Sequence, residues 1–134
     1  MPLQDLHAKF PKLRIVLEHA TTSDAVDAVK SCGDTVACSI TAHHLDITID
    51  SVVGRPHNFC KPVAKYPADR QALCAVIKEG HPRFFLGSDS APHSKEKKEA
   101  ACACAGVYTS PYLMQYLGDS TPSPPQLPHP LALP

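Results

Sequence analysis

Short apolar runs alternate with stretches of helical spacing along the first 118 residues. Leu3, Leu6 and Phe10 recur at three- to four-residue intervals with His7 beside them, and Pro11 closes the run, so a helix is predicted over 3–10. The β-branched run from Leu13 to Leu17 predicts a strand that ends in the polar pair Glu18 and His19. Thr21, Thr22, Ser23 and Asp24 are helix-starting residue types; Ala25, Val26, Ala28 and Val29 give the helix an apolar face, and Cys32 with Gly33 stops it. Residues 35–40 predict a second strand, leading into His43 and His44. The pattern is irregular over 45–65, broken by Gly54, Pro56 and Pro62, and a segment of that length reads as a functional loop. A helix is predicted over 67–79, with Pro67 in its first turn, Leu73, Val76 and Ile77 at helical spacing and Gly80 at its end. Phe84, Phe85 and Leu86 form the third strand, which runs through Gly87 to Asp89 and His93, and a last helix is expected over 95–105.

Strand followed by helix, three times over, is the repeating unit of a parallel sheet. Right-handed crossovers put the carboxyl ends of such strands at one rim, where His19, the pair His43 and His44, and Asp89 with His93 would gather. A carboxylate at a strand end is poorly solvated and needs a metal, a protonated base or a ring of donors. Asp89 is equally suited to capping a helix that begins near Ser94, and the residues alone leave both readings open.

Charge adds no partner, because 13 Lys plus Arg balance 13 Asp plus Glu and leave no footprint for nucleic acid or an anionic membrane. The six cysteines lie in or beside apolar segments and read as reduced thiols; Cys102 and Cys104 are too close together for the usual zinc pair. No run of 18 apolar residues occurs, and the amino terminus lacks the basic and apolar regions of a leader, so a cytoplasmic location is expected. Six of the fourteen prolines fall in 119–134, which divides the chain into a folded part, 1–118, and a tail expected to be disordered.

Four motifs in order carry a resemblance. They are Leu17-Glu18-His19-Ala20-Thr21-Thr22, Ser39-Ile40-Thr41-Ala42-His43-His44-Leu45, Gly54-Arg55-Pro56-His57-Asn58-Phe59-Cys60-Lys61-Pro62 and Phe85-Leu86-Gly87-Ser88-Asp89-Ser90-Ala91-Pro92-His93, with Cys102-Ala103-Cys104-Ala105-Gly106 after them. Together they resemble the carboxyl-terminal half of dihydroorotase, the monofunctional type of the amidohydrolase superfamily. The resemblance implies an α/β fold, a partial (β/α)8 TIM barrel made of roughly its last three βα units. It also implies two zinc ions at the carboxyl rim and the interconversion of dihydroorotate and carbamoyl aspartate in pyrimidine biosynthesis. His19 matches a ligand of the second zinc, and Asp89 matches the residue that ligates the first zinc and moves the proton. His93 matches the residue that holds the substrate carboxylate, and Lys61 and Ala105 match positions whose backbone meets the pyrimidine ring.

No catalytic role is assigned to His43, His44, Arg55 or His57, since a histidine beside a loop is more often a hydrogen-bonded structural residue. Arg55 and His57 lie in the loop expected over the substrate. The family's first-strand His-x-His, bridging modified lysine and fifth-strand histidine have no counterpart, so the chain supplies at most one ligand to each metal, whereas a catalytic zinc takes three. The isolated chain is therefore expected neither to hold two zinc ions nor to turn over substrate. The expected partners are a second copy or a complementing amino-terminal half, and the alternative to an enzyme is a non-catalytic barrel fragment.

Overall fold

A computed structural model describes residues 2–120. The order of elements is α1 (Pro2–Lys9), β1 (Ile15–Leu17), α2 (Ser23–Ser31), β2 (Val36–Thr41), α3 (Ala42–Asp46), α4 (Ile49–Val52), a 3-10 turn at Pro56–Asn58, α5 (Pro67–Glu79), β3 (Phe84–Gly87), α6 (Lys95–Lys98), a 3-10 turn at Ser110–Tyr112 and α7 (Leu113–Ser120). The three strands form one parallel sheet in the order β1-β2-β3, with Leu17 opposite Cys38 and Thr41 opposite Gly87.

Parallel strands need crossover connections, and the helices α2 and α5 that make them cover one face of the sheet. Val36, Cys38 and Ile40 are fully buried there against Val26, Val29, Leu73 and Val76. Thr22 caps α2 by accepting a hydrogen bond from the Ala25 N–H at 3.1 Å. Asp69 ties the starts of two helices together, accepting from the N–H of Ser23 at 2.9 Å and that of Tyr66 at 3.3 Å. Gly80 ends α5 at φ 68°, the left-handed conformation that glycine adopts without a Cβ penalty. On the other face Val16 and Phe85, which alternate with the core positions, are 47% and 45% exposed, while Ser39 and Thr41 of the central strand are buried.

Arg83 closes the carboxyl end of α2 from across the sheet. Its guanidinium donates to the carbonyls of Val29 at 2.7 Å, Gly33 at 3.1 Å, Val36 at 3.2 Å and Lys30 at 3.1 Å. These include carbonyls that a helix end leaves without partners, and a cation is favoured there by the helix dipole. Arg83→Ala is expected to lower unfolding stability by about 2 kcal/mol, seen as an earlier urea midpoint.

The structure corrects one predicted element and extends others. The helix expected over 95–105 is a single turn, Lys95–Lys98, after which the chain turns back on itself with the Cys104 N–H bonded to the Lys97 carbonyl at 3.2 Å. The loop over 45–65 holds the short α4 and a 3-10 turn. Asp119 and Ser120, placed in the tail from sequence, end α7, and the rest of that tail lies outside the described residues. Among the described residues no helix is long and apolar enough to cross a membrane.

Candidate metal and ring-binding site

Each strand of the sheet carries a candidate side chain two residues past its last position: His19 after Leu17, His43 after Thr41 and Asp89 after Gly87. His19 and Asp89 have nearly the same unusual backbone, at φ 41° and φ 40°, a left-handed conformation uncommon outside glycine. Strain of this kind persists only where surrounding bonds hold it, and it clusters at functional sites.

Those bonds are visible at both positions. The Ser39 hydroxyl accepts from the His19 N–H at 2.8 Å and donates to the Glu18 carboxylate, while the Ala20 N–H bonds the Ser39 carbonyl at 3.0 Å. The turn that carries His19 is thus fastened to β2. Around Asp89, the fully buried Thr109 donates its hydroxyl to the Ser88 carbonyl at 3.1 Å, and the Ala91 N–H bonds the Val107 carbonyl at 3.1 Å.

His43 is buried with 1% exposure, and neither ring nitrogen has a hydrogen-bond partner among the described residues. Its Nε2 lies 3.8 Å from Asp89 Oδ2, close but beyond hydrogen-bond length. Burial, with the neighbouring His44 and His19 adding to it, pushes its pKa from 6.5 down to about 3, so the ring is neutral at physiological pH. An orphaned polar pair of this kind in a native core calls for an explanation, such as an ion that the site is built to receive.

His44 is satisfied. The Pro62 carbonyl can only accept, so His44 Nε2 carries the ring proton and donates it at 2.9 Å, and Nδ1 accepts from the Thr41 hydroxyl. Burial lowers its pKa most; the Pro62 carbonyl and then Asp89 oppose that, and His19 adds to it.

Nitrogens of His43 and His44 and the sulfur of Cys60 lie within 4.8 Å of one another, a group that could hold a metal. In its present bonding it does not offer three free donors. Both His44 nitrogens are engaged, and the Cys60 thiol, whose pKa is raised chiefly by burial, donates to the Pro62 carbonyl at 3.4 Å. Of the three, only His43 has both ring nitrogens free of hydrogen bonds within the described protein, and Asp89 Oδ2 is the carboxylate oxygen beside it.

A second cluster adjoins the first. His93 Nε2 donates to the Ala105 carbonyl at 3.0 Å, which joins two of the residues expected at the substrate. Lys61 lies on the segment between Phe59 and Pro62, whose Phe59 carbonyl accepts from the Gly106 N–H at 2.8 Å. His57 is exposed and pairs with Glu99 at 3.1 Å. Arg55 lines a separate hollow with Val52, Pro56, Phe59 and Ala101, which contains none of His19, His43, Asp89 or His93.

No protein-family model matches the chain. It is 64% identical over 102 residues to the dihydroorotase of Mycosarcoma maydis, a match covering 76% of this chain and 26% of that relative. It superposes on the crystal structure of Saccharomyces cerevisiae dihydroorotase in complex with 5-fluoroorotic acid with a TM-score of 0.83 and 43% identity, over 88% of this chain and 35% of that one. The chain is related to the dihydroorotases. They are hydrolases, and the segment matched spans between a quarter and about a third of these relatives. The L-hydantoinase of Arthrobacter aurescens, at 22% identity and a TM-score of 0.72, shares the fold. The three-stranded parallel sheet is thus a fragment of an amidohydrolase TIM barrel.

For a dihydroorotase relative, the sequence pointed to His19, Asp89, His93, Lys61 and Ala105 and passed over His43. The signal for His43 was available: it stands at the same two-residue offset from its strand as the other two, once β2 is seen to end at Thr41. Its neutral burial has a measurable consequence. The folded pKa lies below the unfolded value, so between them the unfolded chain binds more protons and stability falls as pH falls. From pH 7 to pH 5 this residue should cost about 2 kcal/mol. Urea unfolding at the two pH values should show His43→Gln losing correspondingly less stability than the unsubstituted chain.

Proposed function

We propose that this chain supplies the sixth to eighth βα units, hence the carboxyl-terminal part, of a dihydroorotase barrel, and that residues 1–118 act in the interconversion of dihydroorotate and carbamoyl aspartate in pyrimidine biosynthesis. The observation that carries the proposal is the matched placement of His19 and Asp89, each two residues past its strand and each held near φ 40°. His19 would hold one zinc and Asp89 the other, with the remaining ligands coming from outside this chain. When bound, zinc lowers the pKa of water and polarises a carbonyl, which is the chemistry that opening a cyclic amide requires.

The chain's own residues supply the rest. Asp89 accepts a proton on its carboxylate and delivers it to the leaving amide nitrogen, acting as base and then as acid. His93 would hold the substrate carboxylate, its ring anchored by the Nε2 hydrogen bond to the Ala105 carbonyl. The Lys61 and Ala105 backbone would meet the ring.

Two donors cannot complete two metal sites, and Val16 and Phe85 are exposed on the sheet, so the reading requires the rest of a barrel to bring the remaining ligands. The direct test is a chimera in which this chain replaces the matching third of the Saccharomyces cerevisiae enzyme. Dihydroorotase turnover by the chimera is the expected result. A folded, metal-loaded chimera without turnover would favour the alternative, a barrel fragment that packs without chemistry.

A further inference from the structure

Lys98 is 4% exposed, and its ammonium donates to three backbone carbonyls: Phe59 at 3.0 Å, Cys104 at 2.8 Å and Gly106 at 2.7 Å. Lysine is almost never this buried without a charged partner. Among the described residues no carboxylate pairs with it, so the three carbonyl dipoles alone hold the charge. All three donors of the ammonium are used, which leaves no capacity for a ligand and makes the lysine a fastener between segments.

What it fastens is specific. The segment of Lys61 is held before it at the Phe59 carbonyl, by Lys98 and by the Gly106 N–H, and after it at the Pro62 carbonyl, by His44 and Cys60. Ala105 is held on both sides through the Cys104 and Gly106 carbonyls, again by Lys98, and its own carbonyl receives His93. Among the described residues neither the Lys61 N–H nor the Ala105 N–H has a partner, so two backbone donors are left open between pinned neighbours. No predicted metal ligand belongs to this arrangement.

We infer that Lys98 is a positioning residue that builds, from the Phe59–Pro62 and Cys104–Gly106 segments, a pocket for a cyclic imide bearing a carboxylate, and that this pocket stands without metal. The inference rests on the dihydroorotase reading for the nature of the ligand, and on the hydrogen bonds above for the role of Lys98. Removing the ammonium leaves the Cys104 and Gly106 carbonyls without a donor and the Phe59 carbonyl with the Gly106 N–H alone, which loosens the two segments against each other and with them the two open N–H groups.

The test uses the chain itself in EDTA, with 5-fluoroorotate as the probe and its ¹⁹F resonance as the readout. The unsubstituted chain should broaden and shift that resonance, and ¹H–¹⁵N spectra should show the Lys61 and Ala105 amides moving together on titration. Lys98→Met should weaken binding about tenfold or more. Lys97→Met, which removes the adjacent exposed lysine's charge, should leave binding within about twofold. Methylammonium should restore binding to Lys98→Ala, a recovery that general loosening of the fold would not give. The inference is overturned if the metal-free chain leaves the probe unperturbed, if folded Lys98→Met binds like the parent, or if methylammonium restores nothing. Should the substituted chains fail to fold, the paired amide shifts in the unsubstituted chain decide, and their absence counts against it. A chimera that turns over while the metal-free chain ignores the probe would sink this inference alone; failure of both would sink the dihydroorotase reading as well.

Discussion

Asp89→Asn in the chimera with the Saccharomyces cerevisiae enzyme is expected to lower kcat by about 10³-fold or more. The substitution is chosen for its backbone as much as for its side chain. Asp89 sits at φ 40°, and asparagine, like aspartate, tolerates the left-handed region, so the loop fastened by Thr109 and Val107 should stay in place. What is lost is the carboxylate, which on the proposed reading is one metal ligand and the group that carries the proton. Steady-state kinetics with circular dichroism as a fold check should show the rate loss without unfolding. Asp89→Ala would mix this effect with strain and is a poorer test.

Gly106→Ala is expected to destabilise the chain by about 3 kcal/mol or more, read from the urea midpoint. A Cβ there would lie 2.3 Å from the Ala91 carbonyl oxygen and 2.7 Å from the Ala91 Cβ, and φ is 147°, a region closed to other residues. Neither obstacle can yield cheaply, because Ala91 belongs to the bridge between Ser90 and Val107 that supports Asp89. Gly80→Ala offers the comparison: at φ 68° with nothing within 4 Å it has the backbone cost without the clash, about 1 kcal/mol. The gap between the two variants measures how tightly the Ala105–Gly106 turn is wedged against the Asp89 loop.

The elements legible in the sequence are those whose local signals and packing agree. Helix α5 has proline in its first turn, apolar residues at helical spacing and a glycine at its end, and it runs from Pro67 to Glu79 as the pattern predicted. The helix expected over 95–105 failed because alanine-rich propensity is a weak force beside the Lys98 ammonium, which draws the Cys104 and Gly106 carbonyls to itself across the turn. Nothing in the local sequence reveals that contact, since it depends on Phe59 arriving from 39 residues away. Strand β2 ends one residue later than the pattern indicated, and that single residue sets the offset that brings His43 toward Asp89. Periodicity is poor at fixing such boundaries, and a one-residue slip changes which side chains meet at the rim. The left-handed backbone of His19 and Asp89 was likewise illegible, because it is imposed by Ser39 and Thr109, each distant in sequence.

Zinc-edge anomalous diffraction from crystals of the metal-loaded chimera bears most directly on whether His19 and Asp89 share one dinuclear centre. The account predicts two adjacent metal peaks, one bonded to His19 and the other to Asp89, each at about 2.0–2.2 Å. Two metal peaks with either side chain turned away from both of them would contradict it.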